Sequence, residues 1–206
     1  RRHSFPTRRS SDLKIAVASN TASPNDTVNV SSLTSAEAST NADFAIVPKG
    51  TGAILAQVPD GTIKAGNKRG ANAVDLQTLR NSSAQVASGG ASVTIGERNT
   101  ASAANAVAIG YSGTASAQYA LALGRNAVAS ALGSTAIGYG SVANIPNQVA
   151  ISGSQPFSTS NQSSIFPCAG RTTNATPTEL FADGPGVTDA RLVLGNTATW
   201  TFEVLV

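Results

Sequence analysis

Val107-Ala108-Ile109-Gly110-Tyr111-Ser112-Gly113-Thr114-Ala115-Ser116-Ala117-Gln118-Tyr119-Ala120 is followed directly by Leu121-Ala122-Leu123-Gly124-Arg125-Asn126-Ala127-Val128-Ala129-Ser130-Ala131-Leu132-Gly133-Ser134. The two lines are one pattern written twice, and the pattern extends both ways. Glycine recurs every fourteen residues at Gly96, Gly110, Gly124 and Gly138. Three of these follow a hydrophobic-small-hydrophobic triplet, Val93-Thr94-Ile95, Val107-Ala108-Ile109 and Leu121-Ala122-Leu123, and the fourth follows Thr135-Ala136-Ile137. Val149-Ala150-Ile151 is a fifth copy with Ser152 in the glycine's place, and Thr100-Ala101-Ser102, Thr114-Ala115-Ser116 and Val128-Ala129-Ser130 repeat in the second half of the period.

Period-two alternation in each half places alternate side chains on opposite faces of a short strand. A fourteen-residue unit therefore holds two strands and two tight turns, with glycine entering the turn conformation at low cost. Such a unit is one coil of a solenoid. Coils stack at about 4.8 Å, so equivalent positions become ladders. Val93, Ile95, Val107, Ile109, Leu121, Leu123 and Ile137 are expected to form the inward ladder and core. The column Thr94, Ala108, Ala122, Ala136 and Ala150 then lies on the opposite face, either solvated or admitting close approach of another chain.

The string from Val107 to Ser141 resembles the left-handed parallel β-roll of the head domain of YadA-type trimeric autotransporter adhesins. That resemblance implies three chains packed about a common axis on a bacterial surface, binding host matrix or other cells. Similar rolls occur in phage tail fibres. Two further stretches, IVPKGTGAILAQVPDG with GNKRGANAVDLQTLR, and RTTNATPTELFADG with ARLVLGNTATWTFEVLV, resemble segments of tail-fibre and virion attachment proteins.

Residues 1–13 read as the translation of a sequencing adapter, with Arg-Arg-Ser-Ser-Asp-Leu at positions 8–13, and are set aside from fold reasoning. They carry four arginines against Asp12, which accounts for the whole formal charge of +3 and leaves residues 14–206 neutral. The basic isoelectric point thus gives no support for nucleic-acid binding. Charged residues make up 12% of the chain, too few for an ordinary compact enzyme and suited to a solenoid. A single cysteine, Cys168, excludes an internal disulfide and a cysteine-cluster metal site. No apolar run reaches the length of a membrane span.

The chain divides into an irregular segment or short hairpin at 14–42, a β-hairpin segment at 43–78, the roll at 79–151, a Ser/Gln/Asn-rich linker at 152–169, and the start of a β-rich domain at 170–206 that reads as truncated. The class is all-β, a parallel β-roll flanked by short antiparallel segments.

Polar side chains in the roll are few. Arg98, Tyr111, Arg125 and Tyr139 lie one or two residues beyond equivalent glycines and should form a stripe along one edge. Tyrosine rings and guanidinium donors suit a sugar or protein contact, while the alternative is a solvated edge where arginine stems cover the rings. Lys64, Lys68, Arg69 and Arg80 either meet an acidic glycan or pair with Asp60 and Asp75.

Catalysis has little to stand on. Glu97 is the sole acid between Asp75 and Glu179, whereas glycoside hydrolysis requires a carboxylate pair, and His3 lies in the excluded segment. Lys49-Gly50-Thr51 lacks P-loop spacing. The column Thr100, Thr114, Val128, Val142 is too short a threonine ladder for ice binding. The expected function is attachment without cofactor or metal, as a homotrimeric segment of a phage or virus tail fibre engaging a host surface glycan or protein. The alternatives are the head of a bacterial surface adhesin and a fragment of a tail-spike glycanase.

Overall fold

The computed structural model describes residues 15–20, 30–35, 41, 43, 45–153 and 162–167. The chain forms two compact units, Arg1–Val47 and Pro48–Val206. In the first, β1 (Ile15–Asn20) pairs antiparallel with β2 (Val30–Ser35), Ile15 opposite Ser35 and Asn20 opposite Val30. The adapter-like residues 1–13, Cys168 and the C-terminal strand pattern of 170–206 lie outside the described residues.

The second unit is a two-walled solenoid. One wall contains β3 (Ile54–Leu55), β4 (Val74–Gln77), β5 (Val93–Glu97), β7 (Val107–Tyr111), β9 (Leu121–Arg125), β11 (Thr135–Gly138), β13 (Val149–Ser152) and β14 (Gln162–Ile165). These run side by side in that order. The other wall is β6 (Thr100–Ala101), β8 (Thr114–Ala115), β10 (Val128–Ala129) and β12 (Val142–Ala143). From β5 onward the parallel register advances by one sequence period, so Val93 meets Val107, Val107 meets Leu121, Leu121 meets Thr135, and Thr135 meets Val149. The ladder continues into the turns, where Val107 N donates to Ala120 O and Leu121 N to Ser134 O, both at 2.9 Å. Seven parallel strands at about 4.8 Å give a sheet about 30 Å long.

The glycine column follows from this stacking. Gly110 and Gly124 adopt φ of +124° and +126°, and a Cβ on either would sit 2.3 and 2.5 Å from the carbonyl oxygen of the glycine one coil on. Left-handed backbone and contact with a neighbouring carbonyl both exclude a side chain here.

The interior is the reverse of the one expected from the sequence. Val93, Ile95, Val107, Ile109, Leu121, Leu123 and Ile137 do not form the core; none is buried, and Ile95 and Leu123 are 38% and 39% exposed. Ala108, Ala122, Ala136 and Ala150 are fully buried instead, facing Ala101, Ala115, Ala129 and Ala143 from the short-strand wall. Ala106, Ala120 and Ala127 complete that core. The physical reason is coil length. Fourteen residues cannot hold two walls at the roughly 10 Å of ordinary sheet packing, so only methyl-sized groups fit between them, and the large side chains turn outward.

A second correction concerns residues 43–78. Among the described residues there, no hairpin forms. β3 and β4 are parallel, Ile54 opposite Val74 and Val74 opposite Val93, and they add two wider coils to the same sheet. Residues 45–47, within the first strand proposed there, are not extended into a strand. Within the stretch read as a linker, β14 pairs antiparallel with β13, Val149 opposite Ile165, and closes the far edge.

Both ends are fitted with polar side chains that replace a missing coil. Near the first end, Asp75 and Thr94 occupy the inward column that is alanine further on, and Thr94 Oγ1 donates to Asp75 Oδ1 at 2.9 Å. Arg69 Nε lies 2.5 Å from Asp75 Oδ2, and Arg80 Nη2 reaches both carboxylate oxygens at 3.1 and 3.0 Å. Gln77, in register with Gly96, accepts from Asn99 N at 2.8 Å and donates to Asn99 O at 3.0 Å, imitating a strand neighbour. At the other end Gln162 does the same for Val142, accepting from its N at 2.7 Å and donating to its O at 2.9 Å. Backbone groups thereby stay hydrogen-bonded where the repeat stops.

Candidate attachment edge and outer face

The residues after the turn glycines fall into one register column. Glu97 lies opposite Tyr111, and Tyr111 opposite Arg125, because the parallel strands that carry them are one period apart. Arg98 follows in a left-handed turn conformation, φ +58°.

The structure brings all four edge residues named from the sequence into one stack. The Arg98 guanidinium carbon lies 5.3 Å from the Tyr111 ring centre, and Nη1 donates to Tyr111 Oη at 2.5 Å. Arg125 sits 5.3 Å from the Tyr111 ring and 5.0 Å from the Tyr139 ring. Glu97 Oε1 is 3.2 Å from Arg98 Nε, an ion pair at the stack's first end. Cations over aromatic faces within about 6 Å are attractive, so the stack holds its own geometry.

This geometry changes what the edge offers. Tyr111 has one guanidinium from the preceding coil and another from the following coil about its ring, the first of them bonded to its hydroxyl. The edge carries guanidinium N–H groups and phenolic hydroxyls, with Arg125 its exposed member. The stack ends at Tyr139, because position 153, one period on, is a glycine with open space where a Cβ would stand.

The second functional feature was missed in the sequence because it came from placing the large residues inside. The outer surface of the long-strand wall carries two apolar columns. One is Ile54, Val74, Val93, Val107, Leu121 and Val149, interrupted by Thr135; the other is Leu76, Ile95, Ile109, Leu123, Ile137 and Ile151. Leu76 and Ile151, near the two ends of the second column, are 45% and 47% exposed. A two-column apolar face across the sheet, broken at Thr135, is not an ordinary solvent surface.

Of the basic group, Arg69 and Arg80 pair with Asp75, as one of the two sequence readings had it. Asp60 does not join them. Its carboxylate accepts from Thr62 Oγ1 at 2.7 Å and Thr62 N at 2.8 Å, and these bonds, side chain first, hold its pKa below the ordinary aspartate value. Among the described residues no cluster of three His, Cys, Asp or Glu side chains is placed to hold a metal, and no helix is long and apolar enough to cross a membrane. The described edge and outer face present guanidinium, hydroxyl and apolar surface.

Comparison with known families finds the YadA head domain repeat in two copies, at residues 87–112 and 115–141. No curated protein and no solved structure matches the chain. The matched residues run from the isolated bridge at Ala87 through β11, covering the fourteen-residue coils and their glycine column. The chain carries a YadA-head-like β-solenoid domain, of the structural class used in adhesins and virion attachment proteins.

Proposed function

We propose that this chain is an attachment segment that works as a homotrimer, best read as the head of a bacterial surface adhesin. The observation that carries the proposal is the outward apolar face of the long-strand wall, in a domain whose repeat is that of the YadA head. Ile95, Leu123 and Ile151 of that face stay exposed in the single chain as described. Burial against two further copies removes it from water, at about 25 cal/mol per Å² of apolar surface, and adds the large-side-chain core that the alanine interior lacks. The attachment edge is then the stack of Arg98, Tyr111, Arg125 and Tyr139, recognising a host glycan or protein by guanidinium and hydroxyl hydrogen bonds.

A tail-fibre origin is the second reading, favoured by the resemblance of residues 46–80 and 171–206 to tail-fibre segments. Retention of the full chain on surfaces coated with host matrix proteins, against surfaces coated with bacterial envelope polysaccharide, separates the two. The adhesin reading expects the first. For the edge itself, Arg125→Ala is expected to weaken retention about tenfold, the loss of a charge-assisted hydrogen bond, with the oligomer intact. Unchanged retention would remove the edge from the attachment role.

A further inference from the structure

The turns that join the short-strand wall to the next long strand stack as the strands do. Asn105, Tyr119, Gly133 and Asn147 hold equivalent places in them, each donating its backbone N–H to a carbonyl of the preceding turn, that of Gly90, Ala104, Gln118 and Leu132 respectively. All four adopt left-handed backbone, with φ of +57°, +61°, +63° and +58°. Glycine enters that region freely and asparagine readily, whereas a bulky side chain does so at a cost. Tyr119 is the exception in this column, and the turns on either side make the same hydrogen bond with asparagine or glycine in its place.

Burial does not offset that cost, since Tyr119 is 59% exposed. Apart from asparagine, the other large side chain held in left-handed backbone within the roll is Arg98, and it is tied to Glu97 and Tyr111. Tyr111 and Tyr139 carry guanidinium groups 5.0–5.3 Å from their ring centres, whereas among the described residues none stands over Tyr119. The surroundings are open and uncharged. One coil on, the equivalent place is Gly133, which puts no side chain beside the tyrosine, and Asn147 Oδ1 lies 2.6 Å from where a Gly133 Cβ would be. The Asn147 carboxamide thus leans over Gly133 toward Tyr119, from two coil spacings of about 4.8 Å away. Leu132, 52% exposed, adds apolar surface next to Gly133. Residues 103–106, 117–120, 131–134 and 145–148, which make up these turns, include no Asp, Glu, Lys or Arg.

From this juxtaposition we infer that Tyr119 heads a second binding site, for one neutral hexose unit of a glycan, with the sugar's C–H face on the tyrosine ring and its hydroxyls bonded to the Asn147 carboxamide. An aromatic ring supplies apolar contact area at one end and a hydroxyl at the other. A carboxamide both donates and accepts, as sugar hydroxyls do. With no charged side chain in the turns, a sugar acid, a phosphate or an acidic peptide finds no counter-ion there. Backbone strain gathers at ligand-contact positions, which accounts for a tyrosine where the column otherwise carries asparagine and glycine. The site shares no residue with the Arg98 to Tyr139 stack or with the two apolar columns, and stands independently of both.

Saturation-transfer-difference NMR of the full chain tests it, with the methyl glycosides of D-glucose, D-galactose, D-mannose and N-acetyl-D-glucosamine as probes and D-glucuronate as the charged control. Saturation is expected to pass to the ring C–H protons of at least one neutral glycoside and not to glucuronate. Tyr119→Asn installs the residue its column prefers, so it should abolish the transfer while leaving the melting temperature at or above that of the parent. Tyr119→Phe keeps the ring and should keep the transfer. Asn147→Ala should weaken binding about fivefold, the loss of one neutral hydrogen bond. No transfer to any of the four glycosides, glucuronate bound as well as they are, or binding undiminished in Tyr119→Asn or Asn147→Ala overturns the proposal. A lowered melting temperature or a smaller solution mass in Tyr119→Asn also overturns it, and makes Tyr119 a packing residue within or between chains.

Discussion

The least replaceable residues are the column glycines, and the reason is a contact between coils rather than a turn preference alone. Gly124 combines φ +126° with a neighbouring carbonyl oxygen 2.5 Å from the place a Cβ would occupy. Gly124→Ala is expected to destabilise the fold by about 3 kcal/mol, the upper range for a strained backbone position, measured by urea denaturation; an unchanged midpoint would show that the coils are spaced further apart than described. The glycines were legible because a fourteen-residue recurrence needs no knowledge of packing. The end plugs were only half legible. Arg69 and Arg80 stood out as cations near Asp75, but Gln77 lies ahead of the fourteen-residue repeat and carries no signal until the register sets it beside Gly96, where its amide replaces a strand. Gln162 is the same device at the other end, in a stretch whose composition signals only a loop.

Each long strand reads hydrophobic-small-hydrophobic, and this pattern fixes two faces without saying which one is inside. Hydrophobic size points to Val107 and Ile109 as core, yet the wall separation that a fourteen-residue coil permits admits only Ala108 and its equivalents. Volume, not hydrophobicity, decides the orientation. Adjacent residues on β9 separate the two arrangements. Ala122→Leu is expected to cost about 1–3 kcal/mol through overpacking, seen as a lower melting temperature, since Ala122 is fully buried. Leu123→Ser, at a position 39% exposed in one chain, should leave the fold of that chain within about 0.5 kcal/mol of the parent and weaken association instead. The opposite outcome, with Leu123 critical to the single chain and Ala122 tolerant, would restore the large residues to the interior. The parallel strands of residues 54–77 were also hidden from the sequence, because their connections are longer than one period and Pro59-Asp60-Gly61 resembles a hairpin turn.

For the whole molecule the alanine interior and the apolar exterior are one fact. A roll of this width buries little apolar area for the conformational entropy lost in ordering its backbone. In the proposed trimer the missing burial comes from outside the chain, the two outer columns packing against a second and third copy. The resemblance implies a trimer, while the residue pattern alone left the alanine column either solvated or open to another chain; Ala108, Ala122, Ala136 and Ala150 are buried within the chain, so the proposed contact falls to the valine, isoleucine and leucine columns. The most direct test is the solution mass of the full chain, 20.6 kDa as a monomer, by light scattering during size-exclusion chromatography, with Leu123→Ser alongside. A mass of three chains for the parent, falling toward one chain in the variant, is the expected result. A stably folded monomeric parent would contradict the claim that the outer face is an interface between copies.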